Sequence, residues 1–333
     1  MTLLDIDNLS VSFTNYQGTS SVLDRVSLTM GKGEILGLVG ESGCGKSVAA
    51  KTILGLIPQP PGNIFSGRIT FKNENLLKTS TRRMRQIRGN EISMIFQEPM
   101  SSLNPVFTVG NQMQEVVRIH QRVKSWQANQ MCVDMLRQVQ MPDPETVLNK
   151  YPHQLSGGMR QRVMIAMALI CDPELLIADE PTTALDVTVQ GQVLAILVAL
   201  SRERNISVLM ITHDMGVVAQ VCDRVAVMYA GRIVEVAPVK QLFSSPRHPY
   251  TRGLIASIPD IDGKDTLYSI PGSVPTMIDP LPGCRFHPRC SVRIKTCDCL
   301  VPELCSITQD HRVACHAIVD PGQKGEETRD PGD

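Results

Sequence analysis

Gly40-Glu41-Ser42-Gly43-Cys44-Gly45-Lys46-Ser47 fits the phosphate-binding pattern G-x-x-x-x-G-K-[ST] at every fixed position. Residues 34–39 before it, apolar after Glu34, follow the turn Gly31-Lys32-Gly33 and read as a buried strand, and residues 48–54 after it read as a helix. Strand, loop and helix stand in the order a P-loop requires. Glycines let the backbone fold close around phosphates, with N–H groups and a helix N-terminus aimed at the anion. Lys46 is then placed for the β- and γ-phosphates and Ser47 for Mg²⁺, which makes ATP the expected ligand. Cys44 fills an unconstrained position, and no basic partner in the sequence marks it as a nucleophile.

The 333 residues allow one large α/β domain with a smaller addition, or two modest domains. Lys+Arg and Asp+Glu are both 33, and this zero net charge argues against a nucleic-acid partner. No apolar run reaches the ~18 residues of a transmembrane helix, and the start lacks the regions of a signal peptide, so a cytoplasmic location is expected. Six of the ten cysteines fall between Cys284 and Cys315, which in a reducing compartment favours metal over disulfides.

In chain order, residues 1–30 alternate apolar and polar, predicting two antiparallel strands joined by a polar loop at 14–21. Phe13 and Tyr16 lie ahead of the P-loop, where an aromatic face either stacks on adenine or, for Phe13, continues the apolar face of the strand. The prolines of 58–62 predict the end of the first helix, 67–71 an edge strand and 82–88 a solvated helix. A buried strand at 92–97 ends in Gln97, where α/β sheets bind ligands. Helical spacing over 109–139 predicts a helical insertion, with Trp126 packed between its helices.

Ser156 with Gly157 and Gly158 opens a helix running to Ala168, a second anion site in a chain with one P-loop. The strand 175–180 ends in two carboxylates. Asp179 is placed for Mg²⁺ and Glu180 for polarising a water. A helix over 187–201 follows, then the strand 207–212 ending at His213, which reads as a γ-phosphate contact.

P-loop, Gln97, Leu155-Ser156-Gly157-Gly158, Asp179-Glu180, Ala184-Leu185-Asp186 and His213 occur in the order of the nucleotide-binding subunits of ABC transporters, which this chain resembles over residues 1–245. The stretches 97–105, 246–251 and 283–290 resemble the oligopeptide/dipeptide/nickel importer branch and extend the likeness over nearly the whole chain. The resemblance implies an α/β P-loop NTPase fold with a RecA-like core, an antiparallel β-subdomain, a helical subdomain over about 98–165 and a Cys-rich C-terminal extension at 246–319. A polar tail at 320–333 reads as disordered.

The same resemblance implies an ATPase that drives import of di- or oligopeptides, or a related solute such as a nickel or metal chelate, through two membrane permease subunits. An extracytoplasmic binding protein would supply the solute, and the chain would sit on the cytoplasmic face of the inner membrane. ATP would lie between the P-loop of one ATPase subunit and the Ser156–Gly158 helix start of a second, usually a paralogue. Glu180 would be the general base, Gln97 would sense metal and permease, His213 would steady the γ-phosphate, and Asp186 would couple the two sites. The aromatic adenine position falls on Phe13 by spacing, with Tyr16 the alternative.

Cys284, Cys290, Cys297 and Cys315 resemble the branch's cysteine motif, which carries a [4Fe–4S] cluster in some members. Zinc comes second, since the spacing is not C-x2-C, and unligated thiols third. Cys299 and Cys305 depart from the plain four-cysteine pattern. Such a cluster would hold together a tail with too little apolar sequence to fold, while Arg285, Arg289 and Arg293 would offset its charge or face solvent. DNA-repair ATPases of this kind carry long coiled coils, absent between Gln97 and Leu155, and translation factors carry two P-loops where this chain has one. A nucleotide-dependent regulator without turnover fits poorly with Glu180 and His213.

Overall fold

The computed structural model describes residues 2–97, 102–182, 186–258, 268–278 and 280–319. An antiparallel sheet of order β2-β1-β4-β5 is built from β1 (Thr2–Asn15), β2 (Gly18–Gly31), β4 (Gly62–Phe71) and β5 (Glu74–Asn75). Its first hairpin closes on Tyr16 and Gln17 alone, so the expected loop at 14–21 is mostly strand. Thr14 pairs with Thr19, and their hydroxyls lie 3.0 Å apart. Polar residues there mark an exposed strand end rather than a loop.

The second sheet contains β3 (Ile35–Val39), β6 (Ile92–Ile95), β7 (Leu175–Asp179), β8 (Ser207–Thr212), β9 (Arg224–Tyr229), β10 (Arg232–Pro238), β11 (Cys305–Ser306) and β12 (Arg312–Val313). Its order is β11-β12-β10-β9-β3-β8-β7-β6, with parallel pairing from β9 through β6. Both faces are buried, which explains the uninterrupted apolar runs. Leu36, Leu38, Leu209 and Ile211 face a core shared with the antiparallel sheet, while Ile35, Val39, Val208 and Met210 face the core shared with the helices.

The helix after the P-loop spans Lys46–Ile53 and stops well before the prolines. Gly55, at φ 59, donates its N–H to the Thr52 carbonyl, and Leu56 donates to Lys51. A left-handed glycine, not proline, therefore ends it. Between β6 and β7 lie the helices Val109–His120, Ser125–Gln138, Pro144–Leu148 and Gly157–Leu169. Met113, Val117, Cys132, Val133 and Leu136 form their common core. Trp126 is not packed between helices as expected: it stands in the first turn of Ser125–Gln138, 68% exposed.

The C-terminal residues are stitched to this framework rather than folded apart. β12 pairs with β10, and Ser20 of β2 bridges Ile278. Phe286 is buried against Tyr229 and Tyr250, with ring centroids 5.1 and 5.5 Å away. This docking supplies the core that the tail's own composition lacks. The buried Glu235 accepts from the Arg247 N–H at 2.7 Å, the His248 N–H at 2.9 Å and the His311 Nε2 at 2.7 Å. The proposed tail at 320–333 lies outside the described residues. Among the described residues no helix is long and apolar enough to cross a membrane.

His248 is fully buried and accepts the Tyr250 N–H on Nδ1 at 3.1 Å, and burial pushes its pKa down to about 3. Between pH 6.5 and 3 the unfolded chain binds a proton here that the folded chain refuses, so stability falls as pH falls, by up to about 1.4 kcal/mol per unit. Urea unfolding from pH 7.5 to 4.5 should therefore show His248→Gln losing stability less steeply than wild type. Parallel slopes would mean that His248 titrates normally in the folded chain.

Candidate functional site

The carboxyl ends of β3, β8, β7 and β6 lie side by side, and each delivers a polar group to one crevice. At β3 the loop takes its shape from glycine: Gly40, Gly43 and Gly45 have φ of 154, 79 and 108°. A β-carbon on Gly40 would lie 2.1 Å from the Met228 carbonyl oxygen, and one on Gly45 2.9 Å from that of Val22. The helix Lys46–Ile53 begins on Gly45 without a side-chain cap. Ser42 is exposed at the loop surface. Lys46 is buried and donates to the carbonyls of Gly40 at 2.7 Å and Glu41 at 3.0 Å.

Lys46 Nζ also lies 3.7 Å from Cys44 Sγ, a basic partner that the sequence did not disclose. Burial nevertheless raises the Cys44 pKa, with Lys46 only opposing it, so the thiol stays protonated.

Ser47 Oγ donates to Asp179 Oδ1 at 3.0 Å, joining the loop to the end of β7. Burial first, and the neighbouring Glu180 charge after it, pushes Asp179 above the usual carboxylate range against the Ser47 bond. Glu180 follows at φ 47 with its N–H on the Ile211 carbonyl at 2.9 Å. Its Oε2 accepts from Gln97 Nε2 at 3.0 Å, and its Oε1 lies 3.0 Å from His213 Nδ1. The structure thus brings Ser47, Asp179, Glu180, Gln97 and His213 together, with His213 meeting the carboxylate directly. Oxygen donors from Ser47 and Asp179 at hydrogen-bond distance suit a hard cation such as Mg²⁺.

Other expected residues lie apart. Ser156 caps the helix Gly157–Leu169, its Oγ accepting the Met159 N–H at 3.3 Å, and among the described residues no hydrogen bond or ion pair joins Ser156, Gly157 or Gly158 to the P-loop. A β-carbon on Gly158 would lie 2.7 Å from Val189 Cγ1. Asp186 caps the helix Val187–Glu203 by accepting the Val189 N–H at 2.9 Å. Residues 98–101 and 183–185 lie outside the described residues. Phe13 is half-buried in β1 against the inter-sheet core, whereas Tyr16 is 95% exposed at the hairpin turn.

Sequence reasoning missed three contacts to the P-loop region. Tyr250 Oη accepts the Glu41 N–H at 2.9 Å, Arg289 binds the Glu41 carboxylate, and Arg285 donates to the Ala230 carbonyl and, at 2.9 Å, to Asp24. Neither Arg285 nor Arg289 faces solvent; of the three arginines near the cysteines only Arg293 does, 3.9 Å from Asp298. The quoted stretch 246–251 was the available signal for Tyr250. Nothing local marked Arg289.

The four expected ligand cysteines share one neighbourhood. Burial pushes the Cys284 pKa up to about 11, with Cys297, Cys315 and Cys290 adding to the rise. The Cys284 N–H donates to the Cys297 carbonyl at 2.8 Å. Cys299 is exposed and turned to its own backbone, its Sγ 3.6 Å from the Thr296 carbonyl. Among the described residues, however, no group of three or more His, Cys, Asp or Glu side chains is arranged to hold a metal ion. The expected iron–sulfur site gains no support from that geometry.

Comparison with known proteins agrees with the crevice. Residues 23–183 match the ABC transporter family, and residues 234–297 match the oligopeptide/dipeptide transporter C-terminal region. The dipeptide transport ATP-binding protein DppD of Bacillus subtilis is 50% identical over 94% of each chain. DppD of Escherichia coli is 44% identical over 96% of this chain and 98% of its own. Among solved structures, the dimeric bacterial ABC transporter cassette MJ0796 superposes with a TM-score of 0.64 at 25% identity, over 71% of this chain and 98% of its own. With the strand-end site above, these likenesses identify the chain as a member of the ABC transporter family, an ATP-binding subunit of its oligopeptide/dipeptide branch.

Proposed function

We propose that this chain hydrolyses ATP to energise import of di- or oligopeptides through a separate membrane permease, working at the cytoplasmic face of the inner membrane. The observation that carries the hydrolytic reading is the Glu180 carboxylate, held on one oxygen by Gln97 and on the other by His213, next to an Asp179 bonded to Ser47. The peptide class rests on the likeness to the dipeptide and oligopeptide transport subunits.

Lys46 and the N–H groups of 43–47 bind the β- and γ-phosphates of ATP in the glycine-shaped loop. Ser47 and Asp179 would hold Mg²⁺, which would offset the phosphate charge. Glu180 takes a proton from the attacking water, while Gln97 and His213 fix its direction. His213 has a second ring nitrogen with which to reach the γ-phosphate. The left-handed backbone of Glu180 costs of order 1–3 kcal/mol, a strain that aims the carboxylate and is offset by its N–H bond to β8. Ser156, Gly157 and Gly158, exposed or half-exposed, bind the nucleotide of a second ATPase subunit set head to tail, and Asp186 lies at that junction.

Glu180→Gln should bind MgATP normally yet lose turnover ~10²–10⁴-fold, because the amide keeps the shape but accepts no proton. Full ATPase activity in this variant would remove Glu180 from the base role. Lys46→Ala should lose binding itself.

Ser156→Arg should leave the MgATP affinity of the isolated chain intact and abolish hydrolysis in the assembled transporter, since the helix start serves the other subunit's nucleotide. Dilute monomer that hydrolyses ATP as fast as the assembly would contradict the shared site.

For the cysteines we propose a structural [4Fe–4S] cluster on Cys284, Cys290, Cys297 and Cys315. The proposal rests on the resemblance of these four cysteines to the branch's cysteine motif, since the described residues hold no group arranged around a metal ion. Anaerobically purified protein should be brown with about four irons per chain, and should keep them in Cys299→Ala but not in Cys290→Ala. A colourless preparation with stoichiometric zinc would discard the cluster.

A further inference from the structure

We propose that Arg289, in the C-terminal extension, is a positioning residue for the phosphate-binding loop, acting through Glu41 on Lys46; this rests on the nucleotide-binding reading above. Its guanidinium meets the Glu41 carboxylate as a two-bond fork, Nη1 to Oε2 at 2.7 Å and Nη2 to Oε1 at 3.0 Å. Such a fork fixes orientation as well as distance. The fork is itself held rigidly. Nε donates to the Pro271 carbonyl at 2.8 Å and Nη2 to that of Ile270 at 3.2 Å, while the guanidinium lies 5.7 Å from the ring centre of Tyr229 and 6.0 Å from that of Phe286. The Arg289 side chain is 4% exposed.

Glu41 is gripped a second time, its N–H donating to Tyr250 Oη at 2.9 Å. Side chain and backbone of one loop residue are thus fixed by two residues more than 200 positions away. The consequence falls on Lys46, whose ammonium donates to the Glu41 carbonyl at 3.0 Å as well as to Gly40 at 2.7 Å. Setting the peptide plane at residue 41 therefore sets where the phosphate-binding charge stands. Arg285, four residues before Arg289, does the same for the turn behind the loop. It donates to the Ala230 carbonyl, and the adjacent Gly231 N–H donates to the Cys44 carbonyl at 2.8 Å. The extension thus acts as an outer wall of the nucleotide site.

The test is MgATP binding by calorimetry to the full-length wild type, Arg289→Ala, Arg289→Lys, Glu41→Ala and the Glu41→Ala/Arg289→Ala double variant, with thermal unfolding of each. Both Arg289 variants should bind about tenfold more weakly, since lysine keeps the charge but not the fork, and the double variant should bind no more weakly than Glu41→Ala alone. Arg289→Lys carries the test if the alanine chain does not fold. Either Arg289 variant binding within twofold of wild type, or additive losses in the double variant, would overturn the proposal even where unfolding temperatures shift. A folded wild type that binds no MgATP would instead bring down the nucleotide reading on which it rests.

Discussion

The Met228 carbonyl oxygen stands 2.1 Å from where a β-carbon on residue 40 would be, and much of the molecule is arranged around that approach. A side chain there has no room and no flexible neighbour to displace, because the obstacle is backbone. The loop must therefore run bare past the end of β9, and Gly40, Gly43 and Gly45 accept the positive φ angles that this path imposes. The end of β9 supports the loop as well as obstructing it, since the turn after it supplies the Gly231 N–H to Cys44 and the Ala230 carbonyl to Arg285. Site and C-terminal region thus share one turn of backbone.

The other half of the crevice follows from strand order. Because β8 lies between β3 and β7, the P-loop and the carboxylates are close enough for Ser47 to reach Asp179, while His213 at the end of β8 sits beside Glu180. Gln97 closes the row from β6. Gln97 and His213, one on each oxygen, together fix the direction of the Glu180 carboxylate. The left-handed backbone at Glu180 is tolerated because its N–H remains paired to β8.

Much of this was legible in the residues. Strands β3, β6, β7 and β8 announce themselves because burial on both faces demands apolar runs, and a ligand site at strand ends places polar residues at their termini. The errors have physical causes. Thr14, Thr19 and Ser20 read as loop because an exposed strand end is as polar as a turn. Proline at 58 and 60 was credited with stopping a helix that Gly55 had already ended, since a left-handed glycine saturates the carbonyls locally. Trp126, expected between two helices, belongs instead to the first turn of Ser125–Gln138 and stands exposed there. What no periodicity could reveal is the pairing of Arg289 with Glu41, 248 positions apart, because only the folded sheet brings them together.

The buried Glu235 decides how that pairing is reached. A carboxyl group without partners is costly to bury, whereas here it accepts two backbone N–H groups and one imidazole within 2.9 Å. Those partners are His311, just before β12, and Arg247 and His248, just before the helix Pro249–Ala256, so satisfying this one buried carboxyl group fixes both segments on β10. Leaving a buried polar group without one of its hydrogen-bond partners costs about 1–3 kcal/mol. With His248 pinned by its own N–H, Tyr250 two residues later has its hydroxyl delivered to Glu41, and its ring supports Phe286, the residue from which Arg289 departs. Glu235 on β10 is thus linked to Glu41 of the phosphate loop after β3 by an unbroken chain of hydrogen bonds and ring contacts.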